Sequence, residues 1–341
     1  MDDGSATRIL PGPDYHVTVD QLASTVDALA AARGGAVAVP RPDLASLPLG
    51  GGDVLPYLHA VTSQHTAELR EGDAAEALLL SPKGKIDFAL RLAVLPDGVL
   101  LDTEAEAAEA LAARLVRFVF RYDVAVGSPG PGALSVLGPE AGAAVAAAGL
   151  PAPPAEPGHA GVAHPGLAVH RTPVGLDLVG PAAPAALAAL DTTGVAGGPA
   201  ELWELVRIER GLPRWGRELT DDVIAEEAGL LASHVHLDKG CYPGQETVAR
   251  VHNLGQVQRR LAGLRFGGDE LPPPGTDLTT EDGRRAGQVR SGVDHPELGP
   301  IALAYVRRIV TPGQLVHAGE VGGRVVELPF PTASRPVQAS A

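Results

Sequence analysis

The sequence predicts an α+β protein, with two α+β lobes followed by a small C-terminal β-barrel, and three observations predict it. Apolar residues recur at helical spacing over 20–33, 104–121 and 200–210. They alternate as in a half-buried strand through Ile86, Phe88, Leu90, Leu92 and Val94. After Gly255 the chain breaks into short strands and turns (VQRRLAGLRF, RRAGQVRS, GPIALAYVRR, GRVVELPF), which favours a small barrel or sandwich over about 256–330. With 341 residues, 45% of them apolar, the chain has enough material for full cores, which excludes a disordered chain or a small disulfide scaffold.

The elements follow in order. An N-terminal arm, 1–44, holds one helix, with Leu22, Val26 and Leu29 on a face behind Asp20 as cap. The first lobe, 45–126, opens with a helix from Asp53 that tolerates Pro56 in its first turn and aligns Leu55, Leu58 and Val61. The SPKG turn then joins the strands of an antiparallel hairpin or meander over 75–102. Helix returns over 104–121, with Leu111, Leu115 and Phe118 inward and Glu104, Glu106 and Glu109 toward the positive end of its dipole. The second lobe, 127–255, is rich in Ala, Gly and Pro, with a linker-like stretch at 151–161 and short strands at 167–170 and 174–179. Its strongest helix, 200–210, is stopped by Gly211 and Pro213. The barrel, 256–330, is followed by a tail, 331–341.

The net charge of −14 repels phosphate backbones and anionic lipid, which predicts no direct nucleic-acid partner and no membrane partner. No charge-free apolar run of ~18 residues occurs and the N-terminus lacks a basic-then-apolar leader, so a soluble cytoplasmic protein is expected. One cysteine excludes an intrachain disulfide and any all-cysteine metal cage built by one chain. The basic residues are 24 Arg against three Lys, and there is a single Asn. These rare residues cluster: Lys83 and Lys85 in SPKGK, Lys239 and Cys241 in DKGCYPGQE, Asn253 just beyond. Either this is chance in a small count, or such positions need an ammonium, thiol or carboxamide that Arg and Ser do not replace.

Cys241 is the candidate nucleophile, because Lys239 and a helix starting near Pro243 both stabilise a thiolate; the alternative is a small buried hydrophobe. Gly240 and Gly244 permit a tight turn, while Gln245 and Glu246 cap a helix or bond a polar ring. The string His234, His236, Asp238, Cys241 is not a zinc spacing and predicts no metal; its alternatives are capping histidines or an iron centre shared with a partner. SPKGK lacks the P-loop frame, leaving Lys83 and Lys85 to pair with an anionic tail. Asp87 is a candidate general base or a solvent-facing acid. Trp203, four residues before Arg207, places an aromatic plane and a guanidinium where they grip a flat polar heterocycle, unless the ring is core.

The strings Trp203…RIERGLPRWGRELTDD, IAEEAGL and KGCYPGQETVARVHNLGQVQRRL, with YLHAVTSQHTAEL (57–69) and SPKGKIDF (81–88), resemble the folate-binding YgfZ family, related to the T-protein (aminomethyltransferase) of the glycine cleavage system. The resemblance covers about 45–330. It implies a three-lobed, T-protein-like ring whose central opening binds tetrahydrofolate or a one-carbon derivative. It also implies support of iron–sulfur protein assembly or repair, and so indirectly of tRNA modification, with iron–sulfur client or scaffold proteins as partners. Carried over by position, Trp203 contacts the folate, Cys241 is the motif cysteine, and Lys239, Gly240, Tyr242, Gly244, Gln245 and Glu246 complete the signature. The T-protein's acid falls at Asp87. A second folate-contacting tryptophan of the family falls near Leu44, where this chain has no aromatic residue. The competing expectations are a folate-dependent aminomethyl- or methyltransferase with Asp87 as base, and a non-catalytic scaffold with a vestigial folate pocket.

Overall fold

A computed structural model describes residues 8–9, 16–17, 19–153, 161–255 and 257–331. Most of the 151–161 stretch, the first residues of the arm and all but the first residue of the tail lie outside the described residues. The chain begins β1 (Arg8–Ile9), β2 (His16–Val17), α1 (Val19–Gly34), β3 (Val37–Pro40), β4 (Leu44–Gly50) and α2 (Val54–Val61). It continues β5 (Ala74–Leu80), β6 (Ile86–Leu95), β7 (Gly98–Glu104), α3 (Ala105–Val116), β8 (Ala125–Val126), β9 (Ala133–Leu137) and α4 (Ala141–Ala147). Next come β10 (Gly161–His164), β11 (Leu167–Thr172), β12 (Gly175–Val179), α5 (Ala183–Thr192), β13 (Ala196–Gly197), α6 (Glu201–Arg210), α7 (Leu231–His234) and α8 (Gln245–Leu254). The last strands are β14 (Arg259–Phe266), β15 (Asp277–Thr280), β16 (Arg285–His295), β17 (Gly299–Arg307), β18 (Leu315–Ala318) and β19 (Val321–Val326).

The alternation through 86–94 builds β6, the second strand of a five-stranded sheet, β5-β6-β7-β4-β8. Its pairings are antiparallel, with Leu92 opposite Leu101 and Leu101 opposite Leu47. One face buries these leucines against Tyr57 and Leu58 of α2 and Leu111 and Leu115 of α3. A second sheet, β10-β11-β12-β9-β3-β13, packs against α4 and α5. The sheets meet through small contacts, Ala93 and Leu100 against Ala168. Burial of such apolar area stabilises by about 25 cal/mol per Å² and is the principal term holding each layer.

The strands after Gly255 close into a six-stranded barrel, β14-β17-β16-β15-β18-β19, with β19 returning to β14 at Gly263–Val326. Valines and alanines fill its interior, and closure removes every edge. The α+β fold with a C-terminal barrel is thus the one the sequence predicts, with a barrel and not a sandwich.

Three local expectations are corrected. Val26 is exposed, because the inward face of α1 runs Thr25, Ala28, Leu29 and Ala32, the i, i+3, i+4, i+7 stripe. Phe118 is also exposed, since α3 ends at Val116 and the following turn carries the ring outward. Helix α8 begins at Gln245, not Pro243. In addition, residues 37–40 of the arm form β3 inside the second sheet, paired with β9 at Val37–Leu137. Among the described residues no helix is long and apolar enough to cross a membrane.

Candidate functional site

A central cleft of about 1190 Å³ opens between the lobes and the barrel. Leu44, Arg91 and Glu104 line it from the first sheet, Arg171 and Asp177 from the second, Trp203 from α6, and Arg260 and Leu261 from β14. Trp215 lies in the same wall, its ring parallel to Phe88 at 6.0 Å, with Nε1 donating to the Asp87 carbonyl at 2.9 Å.

The guanidinium on Trp203 is that of Arg41, 3.8 Å from the ring centroid. Arg41 is fixed there by Asp43 at 2.8 Å and Ser135 Oγ at 2.9 Å. From it runs a buried ionic chain: Arg41 to Asp177 at 3.5 Å, Asp177 to Arg91 at 2.6 Å, Arg91 to Asp102 at 2.6 Å, and Asp102 to His170 Nε2 at 2.9 Å. Burial works against the charge of Asp102, but Arg91 and His170 outweigh it and lower its pKa to about 2. The chain stitches β6 and β7 to β11 and β12 across the cleft floor.

Arg207, expected to share Trp203's grip on a ligand, does not reach the cleft. Its guanidinium is 1% exposed and consumed by Glu204 at 2.6 Å and Glu218 at 3.1 Å. The four-residue spacing is sound, but two carboxylates inside the fold claim the cation first. Glu218 is held in turn by Ser291 of the barrel. Glu104, which lines the cleft, pairs with Arg214 at 2.9 Å. Burial, with Asp43 nearby, raises its pKa to about 7 against the pull of Arg214.

The KGCYPGQE segment sits apart from the cleft, on the SPKGK turn and the end of α2. Lys239 is buried and its Nζ donates to the carbonyls of His59 and of Thr62, the latter at 2.6 Å, capping α2. Burial lowers its pKa to about 8. The ammonium stands 4.9 Å from the centroid of the buried Tyr242 ring. Gly244 has φ +83°, and a Cβ there would lie 2.6 Å from the Ser81 carbonyl and 3.0 Å from Gly84 Cα. Lys239, Tyr242 and Gly244 are therefore anchors, and Cys241 between them is exposed. Lys239 Nζ is thus spent on the backbone of α2, and Cys241 lies exposed on the loop it anchors.

None of the residues 239–246 is among those lining the cleft; their loop is clasped to the SPKGK turn. Gln245 and Glu246 occupy the first turn of α8. Asp87 is likewise absent from the lining, and its carboxylate meets Arg114 of α3 at 3.3 Å. Lys85 Nζ donates to the Asp222 carbonyl at 2.8 Å, not to an open site. The string at 234–241 does not converge: His234 bonds Ser233 Oγ, and His236 lies against His65. Among the described residues no group of three or more His, Cys, Asp or Glu is placed to hold a metal.

Sequence reasoning missed Arg41, Glu104 and a row of imidazoles. Rings of His59 and His65 are 4.6 Å apart and those of His65 and His236 5.2 Å, forming a partition between the cleft, which His65 lines, and the motif loop. Only Arg41 left a trace, as a charge set between the two apolar strands 37–40 and 44–50.

Residues 258–329 match the family model described as CAF17, C-terminal beta-barrel domain. Human iron-sulfur cluster assembly factor IBA57, mitochondrial, is 34% identical over 120 residues, 33% of each chain. The aminomethyltransferase of Moorella thermoacetica is 36% identical over 137 residues, 37% of this chain and 36% of that one. A chloroplastic Arabidopsis thaliana protein, At1g60990, is 35% identical over 141 residues, 40% of this chain and 32% of its own. The matches thus span about a third of the length of these curated relatives. The crystal structure of glycine cleavage system aminomethyltransferase T from Bartonella henselae superposes with a TM-score of 0.78 at 21% identity, covering 96% of this chain and 94% of that one. The chain therefore has the fold of that aminomethyltransferase, ends in a barrel that matches the CAF17 C-terminal domain model, and is similar over about a third of its length to IBA57 and to aminomethyltransferases.

Proposed function

We propose that this chain binds tetrahydrofolate or a one-carbon derivative in its central cleft and supports iron–sulfur protein assembly or repair, with Cys241 as the thiol presented to a client or scaffold protein. The observation that carries the proposal is the Arg41–Trp203 stack in the wall of a cleft rimmed by charged groups. A flat, polar heterocycle needs a planar face to lie on and fixed donors and acceptors at its edge; the half-buried Trp215 offers a face, and Glu104 with the edge of the largely buried Arg41–Trp203 stack, packed on the core, offers the rest. Bound tetrahydrofolate supplies a carrier for one-carbon units; the chain's own residues orient and desolvate it. The iron–sulfur part of the reading rests on the likeness to IBA57 and to the CAF17 barrel.

The transferase reading draws on the same fold, but Asp87 turned toward Arg114 is poorly placed as its base. The scaffold reading draws on Leu44, which lines the cleft where the family's second tryptophan is expected. Titration with tetrahydrofolate and 5-formyltetrahydrofolate, followed by tryptophan fluorescence and heat, tests the proposal. Saturable binding is expected, weakened about tenfold or more by Trp203→Ala, which corresponds to ~1.4 kcal/mol. Folded wild-type protein that binds neither folate would overturn it. Cys241→Ser is expected to retain folate binding while abolishing iron–sulfur enzyme activity in a complemented deletion strain; Asp87→Asn abolishing a folate-dependent turnover would instead favour the transferase.

A further inference from the structure

The ionic chain that begins at Arg41 continues to the wall of the cleft around Glu104. Asp43, paired with Arg41, lies 3.9 Å from Arg214. Arg214 also meets Glu104 at 2.9 Å and Glu204 at 3.8 Å, and Arg207 ties Glu204 to Glu218. The result is one continuous set of ion pairs, in which four guanidiniums (Arg41, Arg91, Arg207 and Arg214) face six carboxylates (Asp43, Asp102, Asp177, Glu104, Glu204 and Glu218). A charged His170, on Asp102, would raise the cations to five and still leave one acid without a countercharge. The remaining guanidiniums of the cleft lining are turned elsewhere: Arg171 to the Pro153 carbonyl at 2.5 Å, Arg260 to the Val310 carbonyl at 3.0 Å and Arg210 toward Glu209. Glu104 is the acid left over. Its one ion-pair partner, Arg214, is shared with Asp43 and Glu204, while Arg41 and Arg207 act from farther off and Asp43 opposes them. Its side chain does not cap α3, whose first residue is Ala105. Burial of a carboxylate without a full countercharge favours the neutral acid, and the pKa of Glu104 is raised to about 7. The side chain lines the cleft, 13% exposed; Oε2 meets Arg214, and Oε1 accepts no hydrogen bond from the described residues, which leaves Oε1 to carry the proton.

We propose that the cleft selects a flat ring whose edge carries an amidine-type pair of N–H donors, and that this edge takes the place of the proton on Glu104. A carboxylate accepts two parallel N–H bonds from such an edge, in the geometry it adopts with a guanidinium. The half-buried Trp215, next in the chain to the arginine that holds Glu104 and backed by Phe88 at 6.0 Å, gives the ring a face in the same cleft. A carboxylate or phosphate on the ligand would add to the surplus of acid and is disfavoured at this end of the cleft. Binding is therefore coupled to proton release: the ligand pays to remove the proton at low pH and finds the carboxylate free at high pH. The pyrimidine edge of a pterin belongs to this chemical class, so the inference deepens the folate reading, and its tetrahydrofolate arm rests on that reading.

The experiment is calorimetric titration of the full chain with benzamidine, an amidinium on a flat ring, with benzoate, its acidic counterpart, and with tetrahydrofolate. Each is run at about pH 6 and about pH 8, in buffers of low and high ionisation enthalpy, so that protons released on binding are counted. Wild type is expected to bind benzamidine and not benzoate, up to about tenfold more tightly at the higher pH, with a fraction of a proton released at the lower pH and little at the higher. Glu104→Gln has no proton to release; it is expected to bind benzamidine about tenfold more weakly, with the same affinity at both pH values. Proton release is read on wild type alone and does not depend on the variant folding. The inference is overturned if folded wild type binds no benzamidine, if benzoate binds as tightly, if binding releases no proton, or if folded Glu104→Gln keeps the pH dependence. Tetrahydrofolate separates this inference from the folate reading. Benzamidine binding with proton release but no tetrahydrofolate binding removes the folate reading and leaves this one standing; tetrahydrofolate bound without proton release, and equally by Glu104→Gln, does the reverse.

Discussion

Lys239 shows how a rare residue is legible while its task is not. Three lysines against 24 arginines mark the position, and the reason is that a compact ammonium reaches two carbonyls at the end of α2, which a planar guanidinium is poorly shaped to do. Its bonding partners come from 180 and 177 residues earlier, beyond any local pattern. Lys239→Met is expected to destabilise the fold by about 1–3 kcal/mol in urea denaturation and to raise the mobility of the loop bearing Cys241, read as faster proteolysis there. Gly244→Ala, which meets the Ser81 carbonyl and a left-handed backbone together, is expected to cost about 2 kcal/mol by the same measurement. Glu104 carries a pH signature. Its folded pKa, about 7, lies above the ordinary carboxyl value, so between the two the folded state holds a proton that the unfolded state has released. Its contribution makes stability fall as pH rises from about 4.5 to 7, and Glu104→Gln is expected to flatten that part of a melting-temperature profile.

At the scale of elements, periodicity was a good guide wherever one face meets a local partner. The β5–β7 meander is the example, since its turns bring its strands together; α6 was legible from its own apolar stripe, although that stripe packs on the remote α1 and the barrel. Pattern failed where the partner is remote: β3 is short and its place in the second sheet depends on β9, about a hundred residues on. It also failed for α6's polar side, because whether Arg207 faces a cleft or a buried acid is decided by Glu218 and the barrel behind it. Arg207→Met leaves Glu218 buried beside Ser291 without its cation, and is expected to cost about 3–5 kcal/mol in denaturant midpoint experiments. Replacing both Arg207 and Glu218 by apolar residues is expected to recover part of that loss, since the buried Glu218 charge is gone, but not all of it, because Glu204 then keeps only Arg214 at 3.8 Å.

At the scale of the molecule, the ionic chain from Arg41 to His170 couples the two sheets more specifically than the alanine contact between them. Asp102, lowered to about 2 in the fold, contributes stability that is present above its unfolded pKa and lost as the pH falls from about 4 toward 2. Asp102→Asn is expected to weaken that acid-induced loss and to lower stability at neutral pH by about 2–4 kcal/mol, measured by tryptophan fluorescence in denaturant. Being buried, the chain is little screened, so moderate salt is expected to leave it intact. The α+β fold with its closing barrel was legible because strand alternation, helical spacing and the short strands after Gly255 each leave a local pattern; the cleft was not, since its walls are assembled from separate layers. One feature of the outer surface also fixes the covalent chemistry open to the molecule. With a single sulfhydryl per chain, exposed on a loop anchored by the buried Lys239 and Tyr242, the protein is monovalent toward oxidation. A disulfide between copies can join two chains and then stops, so mild oxidant yields on a non-reducing gel one band at twice the chain mass and no ladder above it.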